Sequence, residues 1–423
     1  MVKLLIIADD FTGALDTGVQ FAEKGARTYI MVDSKIDYTK ISSNIEVLVI
    51  DTETRHLDKT EAYQIVFSIV QEARKIGIPY IYKKTDSALR GNIGVELTAV
   101  LKASGERHIH FIPAFPQMGR TTVNGIHYVN GVPIAQSVFG NDPFDPVRYS
   151  DIKEIIATQS EIETHIIGTD IPETCSSAEG ILVYDSSCNQ DLENIAVELV
   201  RKGEIHLIAG CAGFACMLPK MLQLGGEQRR VPEIKDSILV VCGSVNPVSV
   251  AQCDDAERKG APRFRLTPEQ KLYPDWAESS SADVFIEKIY DSCKENDIVI
   301  LDTNDRENVE STAIYAQKKG ITLEQMRTYI VSAIGIILKR LIDNGLESTI
   351  FIIGGDSLIG FVRQAGIKVI SPICEMECGV VLSQLEYNGK TLNVISKSGG
   401  FGQETMFSDL VKMLSKLNEG KRV

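Results

Sequence analysis

Leu4-Leu5-Ile6-Ile7-Ala8 is an apolar run without polar alternation. It stops at two adjacent carboxylates, Asp9 and Asp10, followed by Thr12, Gly13 and a helical pattern from Ala14 to Lys24. An uninterrupted apolar strand has both faces covered, as in a parallel sheet packed between helices. In open α/β sheets, ligands gather at the carboxyl ends of the strands, and Asp9-Asp10 stands at such an end. One Asp at a strand-to-helix junction is adequately explained as a helix N-cap. A pair is not, because a helix has a single N-cap position.

The same alternation runs through nearly the whole chain. Residues 28–32, 46–50, 79–82, 108–112, 180–184 and 205–209 read as strands. Residues 59–73, 92–102, 190–201 and 213–224 read as helices between them, and this order predicts parallel sheets with helical crossovers. From Pro113 to Pro146 the pattern breaks into a Gly-, Pro-, Asn- and Thr-rich stretch with a hairpin signal at Asn130-Gly131. Long connections of this kind are often binding loops. A polar break at 225–232 carries two glycines and a proline. It predicts a first domain over 1–226, a linker over 227–236 and a second domain over 237–423. The second region repeats the alternation, with strands at 237–242, 298–301 and 349–353 and helices at 247–258 and 322–343. A hairpin follows around Asn388-Gly389, and a final helix from Glu404. The fold class expected is α/β: two domains, each a largely parallel sheet flanked by helices, with the active site in the cleft between them.

Net charge is −13, from 57 acidic and 44 basic residues among 423. That balance argues against a nucleic-acid or anionic-membrane partner, both of which need basic surface. No apolar run approaches the ~18 residues of a membrane span, and the N-terminus lacks the features of a signal peptide. The nine cysteines are scattered without a CxxC pair. Reduced thiols in a cytoplasmic protein are expected. The six histidines form no metal spacing; His108 and His110 share a strand face, which is more often packing than ligation.

Three kinds of stretch could carry chemistry. Lys83-Lys84-Thr85-Asp86-Ser87-Ala88-Leu89-Arg90-Gly91 follows a strand and precedes a helix. It gathers ammoniums, a carboxylate, hydroxyls and a guanidinium, and in an acidic protein that is a candidate anion site. The bland alternative is a solvated loop whose charges pair among themselves. Arg120, in Pro113 to Thr122, adds a guanidinium after another strand and matters only if it converges with the first two stretches. In the second region, Cys242-Gly243-Ser244, Gly354-Gly355-Asp356-Ser357 and Lys397-Ser398-Gly399-Gly400 are small-residue turns near strand-to-helix junctions. Glycine lets a phosphate approach backbone amides, and helix N-termini attract anions. One such turn is usually only a turn; three in one domain point to phosphate binding. Gly389-Lys390-Thr391 imitates the end of a P-loop, but Gln384 stands where its first glycine belongs and the string lies in a hairpin.

Together these stretches, in this order, resemble the four-carbon acid-sugar kinase family: Ile7 to Ala14, Lys83 to Glu96, Pro113 to Pro146, Cys242 to Ser244, Gly354 to Asp356, and Lys397 to Gly402. Thr85 and Val245-Asn246 depart from its usual pattern. The resemblance implies an ATP-dependent kinase acting on threonate, erythronate or a 3-oxo-tetronate; transfer to the terminal 4-hydroxyl is the reaction expected, with Mg²⁺ neutralising phosphate charge. It implies a sugar-acid-binding first domain and a nucleotide-binding second domain; with the two ligands on different domains, closure on binding is expected. Expected substrate-binding residues are Asp9, Asp10, Thr12, Lys84, Asp86, Ser87, Arg90, Gly91 and Arg120, with Arg90 and Lys84 gripping the carboxylate. Expected nucleotide-binding residues are Ser244, Gly354, Gly355, Asp356, Ser357, Ser398, Gly399 and Gly400. Asp10, Asp86 and Asp356 are the candidate proton acceptors, unranked. The expected partners are small molecules, with a homo-oligomer possible. An Asp-dependent phosphatase or hydrolase and a non-catalytic sensor are the competing readings; phosphatases of that kind place one residue between two aspartates, whereas here they adjoin.

Overall fold

The computed structural model describes residues 2–411, apart from 34–35, 143–144, 171–176, 228–230, 233, 236, 274, 307–308, 378 and 408. The chain divides into two compact units, 1–229 and 230–423.

The first unit is built on eight parallel strands: β1 (Leu4–Ala8), β2 (Thr28–Met31), β3 (Val47–Asp51), β4 (Tyr80–Lys84), β5 (His108–Ile112), β9 (Thr164–Ile167), β10 (Gly180–Tyr184) and β11 (Leu207–Gly210). They lie in the order β2-β3-β1-β4-β11-β5-β10-β9, all parallel. The core explains the unalternated opening run. Leu5 and Ile7 face Val66, Val70 and Leu97 of helices Lys59–Lys75 and Ile93–Ser104. On the other face, β1 and β3 pack against helix Phe11–Ala22. The predicted strands and helices are present, with one difference. The helix expected over 213–224 is two short helices, Ala212–Ala215 and Leu218–Met221. Pro219 is the reason: it has no amide to continue the ladder, and its ring would meet the carbonyl one turn back.

The irregular stretch after β5 contains a small antiparallel sheet, β6 (Arg120–Val123), β7 (Ile126–Val129) and β8 (Val132–Pro133). Both of its turns use Asn-Gly with positive φ at both residues, 52° and 77° at Asn124-Gly125 and 50° and 79° at Asn130-Gly131. That is the twist that joins antiparallel strands through two residues.

In the second unit, β12 (Ile238–Cys242), β13 (Arg263–Arg265), β14 (Ile298–Asp302), β15 (Thr349–Ile353) and β18 (Lys390–Lys397) are parallel, in the order β13-β14-β12-β15-β18. A meander continues the sheet: β17 (Val380–Tyr387) runs antiparallel to both β18 and β16 (Val369–Glu377). Its β17–β18 turn is the expected Asn388-Gly389 hairpin, with φ of 48° and 73°. Helix Gly355–Gln364 packs on the long helix Leu323–Asp343. The end of the expected final helix, 412–423, lies outside the described residues. Among the described residues no single helix is long and apolar enough to cross a membrane. The seven described cysteines are free thiols.

Candidate active site

Register places the charged stretches of the first unit together. Ala8 is level with Asp51 of β3 and Lys84 of β4; Lys84 is level with Gly210 of β11, and Gly210 with Ile112 of β5. The segments leaving β3, β1, β4 and β5 therefore start from one sheet edge.

Asp10 is the N-cap of helix Phe11–Ala22 and accepts from the Gly13 amide at 3.0 Å. The bland explanation thus holds for one aspartate of the pair. Asp9 is buried in front of it and has a different partner, one that sequence reasoning missed. Arg55, 9% exposed, donates from Nε to Asp9 Oδ2 at 2.7 Å and from Nη1 to Asp10 Oδ2 at 2.8 Å, and its Nη2 is 3.8 Å from Asp86 Oδ1. Its backbone amide donates to Asp9 O at 3.2 Å. The loop carrying Arg55 is pinned from both sides. Thr52 Oγ1 donates to Ala8 O at 2.7 Å, and Asn92 Nδ2 donates to Thr54 O at 2.9 Å. The signal was present in the sequence: β3 also ends in a polar stretch, Asp51 to His56, and the strand-end rule applied to β1 and β4 covers it equally.

Asp86 and Arg90 form a two-pronged pair, Nε to Oδ2 at 2.6 Å and Nη2 to Oδ1 at 3.1 Å. Burial pushes the Asp86 carboxyl up, but Arg55, Arg90 and Lys84 outweigh it and hold the group well below the usual carboxylate range. Asp9 is likewise raised by burial and lowered further by Arg55, Lys83 and Lys84, with a net downward shift. The two lysines are the last residues of β4 rather than loop residues, and being consecutive in a strand they point to opposite faces. Lys83 is fully buried against Glu96 at 2.9 Å. Lys84 donates to Thr85 O at 2.9 Å, and its Nζ lies so near the first turn of helix Phe11–Ala22 that a Cβ on Gly13 would come within 2.6 Å of it. Gly91, with φ +83°, has a packing role: a Cβ there would lie 2.8 Å from Arg55 Cγ.

Arg120 joins this cluster. The guanidiniums of Arg90 and Arg120 both lie over the Phe139 ring, 5.4 and 5.7 Å from its centroid, which favours cations. Thr12 is half-buried in the first helical turn, and Ser87, also half-buried, offers its carbonyl to His127 Nε2 at 3.0 Å. Asp145, from the loop stretch, is a second residue not singled out from sequence. Burial raises its carboxyl even though His56, Arg90 and Arg55 act on it. Buried polar atoms of both kinds have no hydrogen-bond partner here: the acceptors Asp9 Oδ1 and Asp145 Oδ2, the donor Arg120 Nε, and the Thr85 hydroxyl. The bland solvated-loop reading does not fit these side chains, since Asp9, Lys83, Lys84, Thr85, Asp86 and the Arg55 guanidinium lie deep and their pairs are made across separate segments.

The second unit brings its three turns together. Cys242 is level with Ile353, and Ile353 with Lys397, so β12, β15 and β18 end side by side. The Gly243 amide donates to Ile353 O at 3.2 Å and the Gly354 amide to Lys397 O at 3.0 Å. Small residues are required: a Cβ on Gly243 would overlap Ser357 Oγ, and one on Gly399 would overlap Ser244 Oγ. Gly354, at φ +103°, is the N-cap of helix Gly355–Gln364, which has no side-chain cap. The first-turn amides are thus not claimed by a capping side chain, and such amides hold anions. Gly400 borders the cradle, its position 3.5 Å from Asn246 Nδ2 by the same measure. Beneath the last turn, the Lys397 ammonium donates to Ser398 O and Gly399 O at 3.2 Å each and to Phe401 O at 2.9 Å. Burial lowers Lys397 to about 8. It organises the turn from below and was not singled out as a site residue.

Asp356 sits at the start of helix Gly355–Gln364, but its carboxylate is half-exposed and forked onto Arg327 at 2.9 and 2.8 Å. Asp302, at the end of β14, is taken by Arg263 at 2.7 Å.

A family model described as a sugar-binding N-terminal domain matches residues 4–218, and one described as a nucleotide-binding C-terminal domain matches residues 239–407. The chain is 32% identical to a D-threonate kinase of Salmonella typhimurium, over 98% of this chain and 99% of that one. It is 27% identical to a D-erythronate kinase of Heliobacterium modesticaldum over 84% of each, and 23% identical to a 3-oxo-tetronate kinase of Pseudomonas fluorescens over 97% and 96%. Two crystal structures share the fold. One is of a Salmonella typhimurium LT2 protein (TM-score 0.81, 20% identity, 97% and 99% coverage), the other of a Haemophilus influenzae protein (TM-score 0.74, 21% identity, 98% and 100% coverage).

Proposed function

The chain belongs to the tetronate kinase family and is a sugar-acid phosphotransferase, and we propose that it moves the γ-phosphoryl of ATP to the terminal 4-hydroxyl of a four-carbon sugar acid, with D-threonate the first candidate. The observation that carries this reading is the set of unpaired buried polar atoms around Arg55, Asp9 and Arg120. A polyol anion supplies what they lack. Its hydroxyls donate to Asp9 Oδ1, and its carboxylate or hydroxyl oxygens accept from Arg120 Nε. Arg90 and Lys84 complete the cationic side, and Asp10, Thr12, Asp86 and Ser87 wall the pocket.

The nucleotide belongs to the turns at Ser244, Gly354 to Ser357 and Ser398 to Gly400, whose glycines let phosphates reach the backbone. Bound Mg²⁺ would neutralise phosphate charge there. It would be carried mainly by phosphate and water oxygens, which suits its reluctance to dehydrate, because Asp302 and Asp356 are both held by arginines. Phosphoryl transfer is chiefly positioning and charge neutralisation. Of the carboxylates that could accept the attacking hydroxyl's proton, Asp86 is the poorest, since two guanidiniums stabilise its charged form. Asp145, with its raised carboxyl, is better matched to a base, and Asp10 follows.

The test is ADP release in a coupled assay with D-threonate, erythronate and 3-oxo-tetronates, with and without Mg²⁺. Turnover dependent on one of these acids is expected, and no acid-dependent turnover with any of them would remove the reading. Arg90→Ala should lower kcat/KM for the acid about 30-fold, about 2 kcal/mol for a charge-assisted contact, with KM for ATP changed little. The opposite pattern would reverse the assignment of the two units.

A further inference from the structure

At the other end of the first unit's strands, the starts of β5 and β11 hold a group that phosphoryl transfer does not use. His108, His110 and Glu204 each bring a ligand-capable atom within 4.8 Å of the other two. His108 and His110 are two apart in β5 and share one face. Glu204 follows helix Asn189–Lys202 through Gly203, whose φ of +72° turns the chain back towards β11. β11 pairs with β5 in the register Ile208 to His110, so the turn and the two histidines are held by one ladder.

We propose that these three side chains form a binding site for a divalent transition-metal ion of the zinc type. The outer hydrogen bonds are already placed for ligation. His108 Nδ1 is 3.1 Å from Ala178 O, a carbonyl that can only accept, so the proton sits on Nδ1 and the Nε2 lone pair is free to coordinate. His110 Nδ1 is 2.8 Å from the Tyr184 hydroxyl, and Nδ1–H donating to it leaves the same atom, Nε2, for a metal. His110 is 1% exposed and its Nε2 has no hydrogen-bond partner. The facing Glu204 Oε2, 3.7 Å away, has none either. Two lone-pair atoms, an imidazole nitrogen and a carboxylate oxygen, therefore face one another without a hydrogen bond, which is costly unless a cation lies between them. Bonds of about 2.0–2.2 Å to Zn²⁺ need the ligand atoms slightly closer than they stand, a change that side-chain torsions of Glu204 and the half-buried His108 can supply. Two imidazoles and one carboxylate suit zinc, with water in the fourth position. The neighbouring basic side chains have other partners: Lys202 is 3.5 Å from Glu198, and His206 is 3.3 Å from Glu106.

His108 lies four residues before Ile112, which is level with Lys84; at about 3.3 Å per residue that is about 13 Å from the charged cluster. The ion would tie β5 to the turn before β11 and leave the phosphoryl chemistry alone.

The probes are Zn²⁺ and Co²⁺ on the full-length, tag-free chain after chelator treatment. Wild type should bind one Zn²⁺ per chain in competition with a chromophoric chelator, give a visible Co²⁺ spectrum, and unfold at a higher temperature with Zn²⁺. Glu204→Gln and His108→Gln, at half-buried positions that leave the His110 core contact in place, should each lose affinity at least tenfold, keep the metal-free melting temperature, and keep sugar-acid kinase activity. Failure of wild type to bind Zn²⁺, or binding by both variants as tight as wild type, would overturn the proposal.

Discussion

At the strand ends of the first unit, the candidate site is made of long charged side chains. Four segments contribute Arg55, Asp9 with Asp10, Asp86 with Arg90, and Arg120, and nearly every charge is answered by another. At the strand ends of the second unit it is made of what is missing. Gly243, Gly354 and Gly399 leave backbone in the open, Asp302 and Asp356 are neutralised by arginines, and the Lys397 ammonium faces inward to the turn's own carbonyls. The difference follows from the ligands each would serve. A small hydroxy acid is told from its neighbours by where its hydroxyls and carboxylate lie, and directional side chains read that. A triphosphate presents the same oxygens in every nucleotide, and amides at a helix start suffice. The first cluster is therefore expected to be vulnerable to loss of a side chain, and the turns of the second unit to gain of one.

The sharpest way to break this contrast is Arg55→Met. It strands Asp9, 2% exposed, without its partner. Breaking a buried pair from one side costs about 3–5 kcal/mol, so urea unfolding of the first unit should shift by that order. A shift under about 1 kcal/mol would mean that Arg55 does not hold the charged cluster together.

Acid is the next lever. Burial lowers His127 to about 4, against an ordinary value of about 6.5. Between those values the unfolded chain binds the extra proton, so stability rises with pH and is lost as pH falls through 6.5 to 4, on the order of 3 kcal/mol for this group. Asp9 and Asp86, both held low, add a loss below about pH 3.9. Denaturant unfolding at several pH values should show this slope, and His127→Gln should flatten its upper part. The turns of the second unit are expected to be sensitive on the alkaline side instead, where burial lets Lys397 lose its proton near 8; KM for ATP should rise there.

Asp145→Asn should lower kcat about 100-fold with KM for the acid changed little, the signature of a proton acceptor. If Asp10→Asn, which preserves the N-cap, shows that loss while Asp145→Asn does not, the role passes to Asp10. Gly243→Ala adds one methyl where Ser357 Oγ stands. KM for ATP should rise about tenfold, about 1.4 kcal/mol, and KM for the acid should hold. The smallest effect is expected from Asp356→Ala, because a half-exposed pair with Arg327 is worth about 0–1 kcal/mol. A change in kcat beyond about fivefold would restore Asp356 to the chemistry.

Much of this was legible in one dimension. The unalternated run Leu4–Ala8 required a sheet covered on both faces, and it has one. Glycine and small residues at three strand ends marked tight turns, and Gly243 and Gly399 do pack closely on Ser357 and Ser244. Asn-Gly pairs fixed hairpin turns, because few residues accept positive φ twice in succession. These features are local, and local sequence chemistry decides them. Which charges share an edge is not local. Arg55 lies 46 residues from Asp9, and only the register of β3 beside β1 puts its guanidinium between two aspartates. Lys83 and Lys84 are one cluster on paper, yet the strand's alternation sends them to opposite faces, one into a buried pair with Glu96. His108 and His110 offered no metal spacing until the turn before β11 delivered Glu204. Sequence determined the strand ends and the kinds of atoms on them; strand order, register and burial decided which of those atoms meet, and which are left for a ligand to satisfy.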